Sequence, residues 1–125
     1  MIMPVGGQIN LGAAAAMQDL GMGATTGTFG ALIGVDTDQF FSAPDVADLW
    51  LTSVEKKMAL SVADSIRQTA EGTFTPGNTR GFLSNDGVGL SPYHNFDSIV
   101  SDDTKAEVAQ LKADIIAGTQ SVSGG

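Results

Sequence analysis

The stretch Ile33-Gly34-Val35-Asp36-Thr37-Asp38-Gln39 constrains the fold of this chain most. A short apolar run there stops abruptly at two acids and an amide. Such a run reads as a buried parallel strand, and in open α/β sheets ligands sit just beyond the carboxyl ends of such strands. Asp36 is then the first residue out of the core, with its carboxylate facing the crevice. Aspartates also cap loops and following helices. On spacing alone, Asp36 and Asp38 read either as caps or as ligand contacts.

The totals narrow the classes. At 125 residues the chain has the size of one α/β domain and can bury one moderate core. A net charge of −8 argues against nucleic-acid backbones and anionic membranes as partners, since both need clusters of Lys and Arg. The absence of Cys excludes disulfides, thiolate metal sites and cysteine nucleophiles. No apolar run approaches the roughly 18–20 residues that span a bilayer. Met1-Ile2-Met3-Pro4-Val5 has neither a positive n-region nor a long h-region, so it does not read as a signal peptide. The expectation is a fragment that begins inside a core strand.

In chain order, Ile2-Met3-Pro4-Val5 reads as a first strand and Gly6-Gly7 as the turn after it. Residues 9–20, rich in Ala and poor in charge, predict a helix able to pack close to a sheet. The strand–Gly-Gly–helix join suggests anion binding at a helix N-terminus, but Gly-x-Gly-x-x-Gly and Walker spacing are both missing. Tight strand–helix packing is the plainer reading. Residues 21–30 predict a Gly/Thr-rich loop, 31–35 the strand ending at Asp36, 40–44 a loop, and 48–53 a third strand. The aromatics Phe40 and Phe41 read as core or as pocket lining. Ser53 is expected as the N-cap of a helix running to about Glu71, with Val54, Met58, Val62 and Ile66 as its apolar face and Gly72 as its stop.

Lys56 and Lys57 then fall at a helix start, where positive charge is mildly unfavourable. They are either solvated or held there to meet an anion or a hydroxyl-rich ligand. Gly81-Phe82-Leu83 and Val88-Gly89-Leu90 predict two short strands around an Asn85-Asp86-Gly87 turn. His94, the single histidine, reads as a surface loop residue unable to anchor a typical zinc site alone. A last helix is expected from about Asp102, with Thr104-Lys105-Ala106-Glu107 as its capping box and Val108, Leu111 and Ile115 as its apolar stripe. Gly118 would end it, 119–122 would add an edge strand, and Ser123-Gly124-Gly125 would fray.

Several segments together resemble the carboxy-terminal part of the basic membrane protein family, lipoprotein substrate-binding proteins that capture nucleosides for ABC-type importers. These are Ile2-Met3-Pro4-Val5-Gly6-Gly7 with Leu11-Gly12-Ala13, Ile33-Gly34-Val35-Asp36-Thr37-Asp38-Gln39, and Leu51-Thr52-Ser53-Val54-Glu55-Lys56. Glu71-Gly72-Thr73-Phe74, Asp86-Gly87-Val88-Gly89-Leu90 and Ile115-Ile116-Ala117-Gly118 follow in family order. The resemblance implies a Rossmann-like three-layer lobe, part of a type I periplasmic-binding fold. It implies that Asp36 and Lys56 meet ribose hydroxyls and that Gly6 and Gly7 let backbone approach the ligand. Asp38 is a secondary contact, orienting the loop. It further implies a nucleoside ligand, a purine nucleoside first, with no cofactor and no catalysis, an ABC permease as partner, and an extracytoplasmic location in the periplasm or on a lipid anchor.

The sequence departs from the family in lacking its first half, in the length of the 21–30 loop and in Trp50. Apolar faces left uncovered would then drive self-association or strand rearrangement. Two other readings stand beside the receptor: a folded scaffold without autonomous binding, and a small flavodoxin-like enzyme using Asp36 as acid or base.

Overall fold

The computed structural model describes residues 1–122. The apolar run forms strand β1, Leu32–Asp36, with burial alternating along it. Strand β2, Trp50–Lys56, lies parallel to β1, pairing Gly34 with Ser53, Val35 with Val54 and Asp36 with Glu55. Leu51 is an extra residue in this ladder, because Leu32 pairs with Trp50 while Ile33 pairs with Thr52. Strand β3, Val88–Leu90, adds antiparallel to β2, giving the order β1-β2-β3. Ile2 contributes one parallel bridge to Leu32 on the outer side of β1.

Successive strand residues face opposite sides of a sheet, and a helix lies on each side here. Helix α1, Ile9–Asp19, buries Asn10, Ala14 and Met17, spaced to share one face. Ala14 and Met17 join Leu32, Leu49 and Trp50 in the main core, with Met22 and Val46 packed against it. On the other side, helix α4, Asp102–Ala117, borders the face bearing Ile33 and Val54. Helix α3, Met58–Glu71, follows β2. Neither α3 nor α4 has a buried residue. The result is an α/β lobe built on a mixed sheet.

Several sequence expectations are corrected. Residues 2–5 form a single bridge rather than a strand, and Pro4 removes one ladder donor. The expected loop at 40–44 is a short helix α2, Gln39–Ser42, followed by a 3-10 turn at Pro44–Leu49. Ser53 is no helix cap but a fully buried strand residue. β2 therefore runs on to Lys56, and α3 begins only at Met58 after Lys57. Val54 belongs to the sheet, while Met58, Val62 and Ile66 lie on α3 and are exposed.

Residues 81–83 form no strand. They enter a turn in which Asn85 Oδ1 accepts from the backbone N–H groups of Phe82 and Gly87, and β3 pairs with β2 instead. The cap of α4 is Ser101, whose Oγ accepts from Thr104 N at 3.2 Å. Residues 119–122 are turn and coil, not an edge strand, and the tail Ser123-Gly124-Gly125 lies outside the described residues. Gly72 and Gly118 do end α3 and α4, both in the left-handed conformation that closes helices (φ +70° and +76°).

Candidate functional site

Strands β1 and β2 end side by side, and their last residues are Asp36 and Lys56. Parallel pairing aligns the two carboxyl ends, so the side chains meet: Lys56 Nζ lies 2.6 Å from Asp36 Oδ1. Both stay about half exposed, at 64% and 54%. Asp36 adopts φ +73°, a left-handed conformation that costs a non-glycine residue energy and clusters at functional sites. With Met3, Val5, Gly6 and Val54 the pair lines an open cleft of about 330 Å³. One acidic and one basic group, both reachable by solvent, can accept from and donate to the hydroxyls of one ligand.

The remaining sequence candidates fall in different places. Gly6 lies in the cleft wall at φ +155°, with Ile9 Cδ1 only 3.3 Å from where a side chain would start. Gly7 is outside that wall, and an added Cβ there would meet nothing within 4 Å. Asp38 is occupied elsewhere. Its Oδ1 accepts from Phe40 N at 3.1 Å, capping α2, and its Oδ2 lies 2.8 Å from His94 Nε2.

His94 reads from the sequence as a surface loop residue, but the structure sets it in a 3-10 turn, His94–Phe96, with its side chain largely covered. Its side chain is 12% exposed and stacks flat on Phe40 at 4.0 Å between ring centres, with Phe41 edge-on. The contact joins residues 56 positions apart, so no local pattern could have signalled it.

Sequence reasoning also missed a polar network that holds the Asp36 loop to the sheet. Gln39 Nε2 donates to Val35 O at 3.1 Å, its Oε1 accepts from Asn10 Nδ2 on α1, and its N–H donates to Ser53 Oγ at 3.0 Å. Ser53 N–H donates in turn to Ser91 Oγ at 2.8 Å, and Thr52 Oγ1 donates to Ser91 O at 2.7 Å. Gly34 makes room for this, because a Cβ there would collide with Gln39 Cγ and Ser53 Oγ. The one sign in the sequence was the glycine itself, set inside a strand.

Lys57 turns away from the pair to Asp86, at 2.9 Å. The hydrogen bond, reinforced by the opposite charge, raises the Lys57 ammonium above the ordinary lysine range and lowers Asp86 below the ordinary carboxylate range. Among the described residues no group of three or more His, Asp or Glu is placed to hold a metal ion.

These features define a class by fold: a Rossmann-like α/β lobe with an acid–base pair at the carboxyl ends of two parallel strands. No protein-family model and no curated protein matches the chain in sequence. Solved structures do share the fold. One is an ABC transporter system solute-binding protein from Aeropyrum pernix K1, with TM-score 0.72 and 22% identity over 98% of this chain. Another is a transcriptional activator of the comK gene from Bacillus halodurans, with TM-score 0.71 and 19% identity over 94% of this chain. The chain spans 40% and 37% of the lengths of these two proteins.

Proposed function

We propose that this chain is part of a solute-binding component of an ABC-type import system, and that its ligand is a nucleoside gripped through the ribose. The observation that carries the reading is the meeting of Asp36 and Lys56 at the cleft. A vicinal diol offers two donors and four lone pairs, which such a pair satisfies by accepting at the carboxylate and donating from the ammonium. Each hydrogen bond to a charged group contributes about 1.5–3 kcal/mol. The fold shared with a solute-binding protein supports the reading, and so do the Ile-Gly-Val-Asp-Thr-Asp-Gln and Thr-Ser-Val-x-Lys motifs. In this role the protein works outside the cytoplasm, hands its ligand to a permease and does no chemistry on it.

Calorimetric titration with adenosine, guanosine, inosine and cytidine tests this. Saturable heat is expected, weakened about tenfold or more in Asp36→Ala as a charged hydrogen bond is lost. Binding unchanged by Asp36→Ala sinks the site. A scaffold without autonomous binding is the second reading, favoured by the cleft being open and by α3 and α4 burying nothing. Silence in all four titrations would select it. Nucleoside turnover in the same samples would revive the enzyme.

A further inference from the structure

The cleft at Asp36 and Lys56 has a neighbouring apolar space. Met3 and Val54 line the cleft and also line this second cavity, of about 290 Å³, between the sheet and α4. Ile33, Leu51 and Leu90 wall this cavity from the sheet side, and Val100 and Val108 from the α4 side. Two threonines reach it as well, but their hydroxyls are spent elsewhere. Thr52 Oγ1 donates to Ser91 O at 2.7 Å, and Thr104 Oγ1 shares a hydrogen bond with Ser101 Oγ at 2.9 Å. Tyr93 and Met1 complete the wall. Met1, Met3 and Leu90 in its wall are exposed, so the space is an open apolar groove, and an apolar guest seated there takes apolar surface out of water. Its size is near the lower end for small-molecule pockets. A larger apolar groove on α3, around Val62, Ile66 and Phe74, shares no wall residue with the Asp36 cleft and so has no such link to it.

We propose that the second cavity is a subsite for the apolar part of a ligand whose hydroxylated end is held by Asp36 and Lys56. The ligand class is then amphipathic: a ribose-like or polyol head carrying an apolar body of several carbons. The inference rests on reading Asp36 and Lys56 as the hydroxyl site. It adds that affinity grows with apolar length, because Met3 and Val54 stand in the walls of both spaces and so set them side by side.

The test compares methyl β-D-ribofuranoside with hexyl β-D-ribofuranoside on the whole chain, by calorimetry and methyl NMR. The hexyl compound is expected to bind about tenfold or more tightly, since each added methylene leaves water. It should also move the methyl resonances of Ile33, Leu90 and Val108. Val108→Phe, which fills the cavity, should abolish that advantage and leave the methyl riboside unaffected. Should this variant not fold, the methyl shifts in the native chain decide the matter. Equal affinities, or shifts confined to Val62 and Ile66 on α3, overturn the subsite. If neither riboside binds, the hydroxyl site itself is refuted and the amphipathic reading falls with it. That outcome is distinct from binding of the methyl compound with no gain for hexyl.

Discussion

Asp36 holds its carboxylate at the cleft through a backbone conformation that its own side chain disfavours. Left-handed φ costs an ordinary L-residue about 1–2 kcal/mol, while an exposed ion pair returns about 0–1 kcal/mol. Asp36→Gly should therefore leave stability unchanged or raise it by up to about 1 kcal/mol, even as binding is lost. Asp36→Val, β-branched and strained, should lower stability by about 1–2 kcal/mol. Urea midpoints of the two variants check this. The Lys57–Asp86 contact gives a pH signature with two limbs. Asp86, lowered in the fold, contributes above the ordinary carboxylate range, and its contribution is lost as pH falls through its depressed value. Lys57, raised in the fold, contributes below the ordinary lysine range and loses its share as pH climbs through its raised value. Amide exchange at Asp86 and Gly87, whose N–H groups donate to Leu83 O and Phe82 O, corrected for its intrinsic pH dependence, should thus be slowest relative to a free peptide between those limits. Asp86→Asn should remove the acid limb.

At the level of elements, the glycines divide cleanly. Gly34→Ala forces its methyl into Gln39 and Ser53 and should cost about 1–3 kcal/mol by overpacking. Gly12→Ala, in α1 with nothing within 4 Å of the new Cβ, should gain about 0.5–1 kcal/mol. Thermal melts of the pair separate the two cases. The same contrast explains what the sequence could convey. β1, α1 and the glycine stops at Gly72 and Gly118 were legible because local patterns and single conformations determine them. The junction of β2 with α3 was not. Ser53 has the chemistry of a cap, yet it sits in the sheet because Ser91 and Gln39, remote in sequence, satisfy its backbone and hydroxyl. Asp36 and Lys56 were named from motifs. Their meeting depends on the parallel register of β1 and β2, which no short spacing encodes.

Across the whole molecule, apolar surface is unevenly covered. Met58, Val62, Ile66 and Phe74 are all more than half exposed on and beyond α3, and contiguous patches of this kind mark interaction surfaces. Light scattering should show the mass rising with concentration, and Ile66→Lys should restore a monomer; a monomer mass at every concentration counts against association. Trp50, in contrast, is fully buried, and its indole Nε1 has no hydrogen-bond partner among the described residues. It opens β2 where Lys56 closes it, roughly 20 Å away at about 3.3 Å per residue. This geometry fixes what light can report. Tryptophan emission should be strongly blue-shifted in the native chain, should redden on unfolding, and should stay silent when a ligand enters the cleft. Tyr93, the single tyrosine, borders the apolar cavity and is the chromophore placed to register occupancy.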